Sequence, residues 1–249
     1  MKVFKAFEYR RGSTILHRID PRSKLVYLIL FASLTVYFTK PLALFIIFLS
    51  FLPMVYVGKI STRWKQSLRG SLFFIAFIFI FNFVPTAYYS GNLLDAAVSA
   101  IAMSLRFLNL ISVFSIFFLT TSPEDLTQSM VQLKIPYDYA LTFNMAMRFV
   151  PTLSREAQYI MDAQRSRGLE MEKGNFVSRI RNYIPILIPL IISSFRRAEL
   201  VADAMESRAF GASKKRTSLH LLRMGRNDLL FVLAATGSAL ALFVLNVLL

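Results

Sequence analysis

Residues 71–89 read SLFFIAFIFIFNFVPTAYY, nineteen positions without one charged side chain. A helix rises about 1.5 Å per residue, so about 20 apolar residues cross a hydrocarbon layer about 30 Å thick. Lipid offers no water to backbone N–H and C=O groups, and a helix satisfies those groups internally. The same reading extends outward to residues 96–119 and 229–249. Residues 25–38 and 42–57 are shorter apolar runs, separated only by Thr39, Lys40 and Pro41. These two form either a tight helical hairpin whose Lys40 reaches the headgroups, or helices that extend into their polar flanks. The whole chain has 249 residues, 55% of them apolar and 24 of them phenylalanine. That composition belongs to an integral membrane protein rather than a soluble domain.

The basic residues set the expected topology. Seven precede the first apolar run (Lys2, Lys5, Arg10, Arg11, Arg18, Arg22, Lys24), four lie between the second and third (Lys59, Arg63, Lys65, Arg69), and sixteen lie within residues 120–226. Only Lys40 falls on the opposite side, and Arg106 lies within the fourth run. The positive-inside rule then gives five spans, with the N-terminus cytoplasmic and the C-terminus outside. A formal charge of +15 distributed in this way is an orientation signal and argues against a nucleic-acid partner. No cleavable leader is expected, because the first 24 residues are polar and basic. There is no cysteine, hence no disulfide and no thiolate metal site. The expected fold class is an all-α integral membrane protein with about five transmembrane helices and long amphipathic cytoplasmic helices between the fourth and fifth. Residues 1–119 form the N-terminal segment and spans 1–4, residues 120–226 the cytoplasmic or interfacial region, and residues 227–249 the last span.

Residues 120–226 carry helical periodicity. Leu153, Ala157, Ile160 and Met161 share a face opposite Arg155, Glu156, Gln158 and Asp162. Ala198, Val201, Ala202, Met205 and Ala209 share one opposite Arg196, Arg197, Glu199, Asp203 and Glu206. Gly168 and Gly211 are placed to end these helices, and Ser122 to cap one that opens at Pro123. Residues 183–193 are apolar but hold Pro185 and Pro189, and are too short to span. They read as part of a helix at the membrane surface or against a hydrophobic partner, with Ile184, Leu187 and Ile191 as candidate contacts. The methionines here (Met130, Met145, Met147, Met161, Met171, Met205) suit either core filling or a surface that repacks against partners.

A seven-residue pattern occurs twice. Asp162-Ala163-Gln164-Arg165-Ser166-Arg167-Gly168 returns 41 residues later as Asp203-Ala204-Met205-Glu206-Ser207-Arg208-Ala209. Each copy sets an arginine between a serine and a residue with almost no side chain, at the end of a helix. An unencumbered guanidinium there suits insertion into an acidic or carbonyl-lined groove of another protein, so Ser166, Arg167, Gly168, Ser207, Arg208 and Ala209 are candidate docking residues. Catalytic patterns are missing: His17 and His220 lack metal-ligand spacing, no span holds paired carboxylates, and no phosphate-binding Gly-rich loop is present. Arg106 belongs either to a substrate path or, the favoured reading, to hydrogen bonds with backbone carbonyls or Asn82.

Gly12-Ser13-Thr14-Ile15-Leu16-His17-Arg18-Ile19-Asp20-Pro21-Arg22-Ser23-Lys24, Thr120-Thr121-Ser122-Pro123-Glu124-Asp125-Leu126, Arg148-Phe149-Val150-Pro151 and the two arginine motifs together resemble the transmembrane coupling component of energy-coupling-factor transporters, importers of vitamins or metal ions. One departure is Ala209, where that family often has glycine. The resemblance implies a non-enzymatic subunit of the prokaryotic cell membrane without cofactors. It implies two ATP-binding-cassette subunits, each receiving one arginine motif, and a small membrane subunit that captures substrate and rests on residues 183–193. A self-sufficient channel or carrier, or a membrane-embedded enzyme, are the alternative classes.

Overall fold

The computed structural model describes residues 14–170, 175–213 and 224–248. Gly12, Ser13, Met171, Lys214, His220 and Leu249, and basic residues Lys2, Lys5, Arg10 and Arg11, lie outside the described residues. The described secondary structure is helical: α1 (Ile15–Arg18), α2 (Pro21–Tyr37), α3 (Pro41–Val57), α4 (Ser61–Ser90), α5 (Leu93–Thr120), α6 (Pro123–Gln132), α7 (Tyr137–Ser166), α8 (Phe176–Glu206) and α9 (Arg226–Leu248). They form two compact units, residues 1–134 with 222–249, and residues 135–221.

In the first unit, helices start and stop where the local chemistry dictates. Asp20 caps α2 by accepting the Arg22 N–H, with Pro21 as the first helical residue; Asn92 caps α5 through the Leu94 N–H, and Ser122 caps α6 through the Asp125 N–H. Gly91 (φ +63°) turns the chain between α4 and α5. Ser61–Tyr89, Leu93–Thr120 and Arg226–Asn246 are long and apolar enough to cross a membrane. Helices α2 and α3 have 17 residues each, about 25 Å of rise. Of the two options for this pair, α2 takes the second, running back through Lys24, Ser23 and Arg22 to Pro21. Lys40 stands at the head of α3 in extended backbone, with no side-chain hydrogen bond to the helix, and Pro41 is the first helical residue.

The core of this unit is aromatic and close-packed. Phe31, Phe38, Leu44, Ile47, Phe51 and Val113 are fully buried, and Tyr27 stacks among Phe31, Phe51 and Phe231. Helix α5 buries a face rich in small residues (Ala96, Ala100, Ala102, Ser112, Thr120), which lets backbones approach in lipid without a hydrophobic driving force. Helix α4 instead exposes Phe73, Phe74, Phe77 and Phe81, side chains suited to acyl chains. Arg106 donates to the carbonyl of Phe38 at 2.8 Å, the residue that caps the C-terminus of α2. Asn109 donates to Leu44 on α3 at 2.9 Å. Two polar side chains of α5 thus hold the α2–α3 turn, and Arg106 takes the carbonyl role.

A buried polar cluster closes the other end of this unit. The Lys24 ammonium donates to the Thr120 carbonyl at 2.8 Å, an acceptor that the end of α5 leaves unsatisfied. Asp228, buried at the start of α9, accepts the Asp20 N–H at 2.8 Å and the Gly225 N–H at 2.7 Å. His17 shares a 2.6 Å hydrogen bond with Thr14. Burial pushes its imidazole pKa below the ordinary value, and the positive charge of Lys24 acts in the same direction.

The second unit is an antiparallel helical hairpin. Tyr137 packs on Phe210 with ring centroids 6.4 Å apart, Glu156 meets Arg197, Gln164 meets Pro185, and Asn182 donates to the Glu170 carbonyl. As the number rises on α7, the number of the contacted residue on α8 falls. Residues 183–193 lie inside the continuous helix α8 despite Pro185 and Pro189. Pro189 has no N–H to offer the carbonyl four residues back, and Gln164 Nε2 supplies a donor to that carbonyl, of Pro185, at 3.4 Å.

Candidate functional site

The two arginine motifs end their helices with the same hydrogen bonds. At the end of α7 the Leu169 N–H donates to the Gln164 carbonyl (3.0 Å) and the Gly168 N–H to the Arg165 carbonyl (2.9 Å). At the end of α8 the Phe210 N–H donates to the Met205 carbonyl (3.0 Å) and the Ala209 N–H to the Glu206 carbonyl (2.8 Å). This is the Schellman ending, which needs one left-handed residue just past the helix cap. Gly168 supplies it with φ +87° and Ala209 with φ +58°. Gly211, which the sequence suggests as the terminator of α8, lies two residues further on at φ +89°. The reversal comes earlier because the hydrogen-bond pattern fixes its position relative to the arginine, and alanine accepts it at about 1–2 kcal/mol.

Each motif therefore delivers its arginine as the last residue before the chain reverses. Ser166 and Ser207 turn their hydroxyls back onto the carbonyls of Asp162 and Ala204, both at 3.0 Å. Arg167 and Arg208 are exposed, and neither guanidinium has a hydrogen-bond or ion-pair partner among the described residues. Each sits at the carbonyl-rich, negative end of its helix, where a cation is favoured. A Cβ placed on Gly168 would meet nothing within 4 Å, so the demand for glycine there is one of backbone conformation, set by its φ of +87°.

The hairpin does not bring the two arginines together. Running in opposite senses, α7 ends beside the opening half of α8, at Asn182 and Pro185, and α8 ends beside Tyr137 at the start of α7. Ile184, Leu187 and Ile191 lie on a different surface. They are 44%, 49% and 51% exposed and continue with Ile180, Ile188 and Phe195 as an apolar stripe along α8. Ile186, one step round the helix, is buried. Two residues that the sequence places on polar faces are engaged instead: Glu156 and Arg197 pair at 2.6 Å. Their separation in sequence equals that of the arginine motifs, a signal the repeat itself carries.

The family model for the cobalt transport protein CbiQ matches residues 12–219. Among curated proteins, the energy-coupling factor transporter transmembrane protein EcfT of Streptococcus thermophilus is 32% identical over 255 residues, covering 96% of this chain and 97% of its own length. The protein of the same name from Brevibacillus brevis is 36% identical over 239 residues, covering 89% and 90%. That from Staphylococcus aureus is 32% identical over 253 residues, covering 94% of both.

Proposed function

The chain belongs to the family of energy-coupling factor transporter transmembrane proteins, and on that premise we propose that it links ATP hydrolysis by two partner ATPases to the reorientation of a small substrate-capturing membrane subunit. Arg167 and Arg208 are the docking residues, one for each ATPase, with Ser166, Gly168, Ser207 and Ala209 shaping the contact. The observation that supports this most directly is the paired helix ending: two arginines without a side-chain partner among the described residues, each presented by the same backbone turn. Ile184, Leu187 and Ile191 on the exposed stripe of α8 receive the capture subunit, whose own binding site selects a vitamin or a metal ion. Five spans carry the chain through the bilayer, with the N-terminus and both arginine tips in the cytoplasm and the C-terminus outside. Closure of the ATPases on ATP would move the hairpin as a body, and the capture subunit would follow.

Substrate uptake into vesicles, measured beside ATPase co-purification, tests the assignment. Each charge-assisted hydrogen bond contributes about 1.5–3 kcal/mol, so Arg167→Ala or Arg208→Ala should lower uptake about tenfold or more. The remaining site should still tether an ATPase by effective concentration. The double variant should release the ATPases or leave hydrolysis without import. Arg167→Lys should rescue only in part, keeping the charge but losing the planar fork. Import at the normal rate by the double variant would refute the docking role.

A further inference from the structure

Glu156 precedes Arg167 by the same eleven residues by which Arg197 precedes Arg208. The ion pair that joins them therefore links equivalent positions of the repeat. We infer that the Glu156–Arg197 pair is the register lock of α7 and α8, the element that fixes how far apart the two arginine tips stand and makes them move as one body. Glu156 and Arg197 act as positioning residues in this inference, which rests on the docking role given above to Arg167 and Arg208.

Three observations carry it. The first is the contact itself. Arg197 and Glu156 meet at 2.6 Å with side chains only 33% and 26% exposed, whereas the tip arginines are open to solvent. Pro189, Ile192 and Leu200 line the cleft beside the pair together with Ser193 and Arg196, and partial burial strengthens a charge-assisted hydrogen bond. The second is the continuity of the helix that extends from it. Neither residues 156–167 nor residues 197–208 contain a proline or glycine, while Pro151 and Pro189 lie on the other side of the pair along each helix. Each arm is an unbroken helical segment of about 16 Å, and in an antiparallel pair the two arms point to opposite ends. The third is the character of the remaining contacts. Beside the pair, the hairpin shares neutral hydrogen bonds from Gln164 to the Pro185 carbonyl and from Asn182 to the Glu170 carbonyl, and the Tyr137–Phe210 ring contact. A short charge-assisted pair between two side chains resists a slip of one turn more strongly than these. A slip of one turn would shift one tip against the other by about 5.4 Å.

The chain has no cysteine, so spin labels can be placed at Ala163→Cys and Ala204→Cys, exposed positions on the two arms one repeat apart. Pulsed-EPR distances are then read in the assembled transporter. With the pair intact a single narrow distribution is expected. Glu156→Gln and Arg197→Gln should each broaden it or add a population displaced by about 5 Å. The charge swap, Glu156→Arg with Arg197→Glu, should restore the narrow form, and Arg197→Lys should remain narrower than Arg197→Gln. In vesicles the two glutamine variants should keep ATP hydrolysis while import per ATP falls about three- to thirtyfold, and the swap should recover it. A distribution unmoved by both glutamine variants overturns the register lock. A distribution that responds while import per ATP stays normal leaves the lock standing and overturns its link to transport. Normal import by the Arg167→Ala, Arg208→Ala double variant would instead remove the docking role, a separate result.

Discussion

Ala209 is the residue at which the two arginine motifs differ in the backbone turn, beside their side-chain differences at Gln164/Met205 and Arg165/Glu206. Its φ of +58° places a Cβ in the left-handed region, where glycine pays no steric penalty. Ala209→Gly should therefore stabilise the end of α8 by about 1 kcal/mol, and Gly168→Ala should destabilise the end of α7 by a similar amount. Hydrogen exchange of the amides of Phe210 and Leu169, each the outer donor of its turn, should slow in the first variant and quicken in the second. His17 makes a different prediction. Its imidazole in the folded chain binds a proton less tightly than at the ordinary value of 6.5, chiefly through burial and then through Lys24. Below that value the unfolded chain takes up a proton that the folded chain resists, so stability falls as pH drops through 6.5. Thermal unfolding in detergent should show this slope, and His17→Gln should flatten it. The repeat was legible from sequence because it is local. The left-handed turn at Ala209 was not, because alanine gives no signal of it and Gly211 gives a competing one.

At the scale of elements, the membrane helices could be read from composition because each is a continuous apolar run. The cap at Ser122 could be read because the residues that make it lie three apart. Lys24 could not. Counted by sequence it is one more basic residue flanking a span, yet it is buried and holds the end of α5 through Thr120. Lys24→Met removes the ammonium but leaves the Thr120 carbonyl and the Asp20 carboxylate buried, at an expected loss of about 3 kcal/mol. A fall in the unfolding midpoint of the purified protein would measure it. Arg106 differs, since its partner is a carbonyl at the end of α2, as a charge placed in mid-span requires. The exposed stripe of α8 was legible as a short apolar run, but its continuation through Ile180 and Phe195 depends on one helix persisting through two prolines. Leu187→Glu with Ile191→Glu should detach the capture subunit while the ATPases remain, read by co-purification. Retention of every partner would remove that face from the interface.

For the whole molecule, the helical membrane class followed from hydropathy alone, while the pairing of distant segments did not, because no periodicity encodes it. The proposed topology can be tested in the same cysteine-free chain: Lys40→Cys should react with an impermeant reagent applied outside intact cells, and Lys65→Cys should not. Labelling of Lys65→Cys would invert the arrangement. Among the hydrogen bonds of the described residues, the one from the Asp20 amide to Asp228 joins positions 208 residues apart. At about 5–20 residues per second a ribosome needs roughly 10–40 s to make that span of chain. For all of that interval α2 waits in the bilayer with its first turn unlatched. A message cut short before α9 therefore yields a chain whose α2 lacks the Asp228 latch on its first turn.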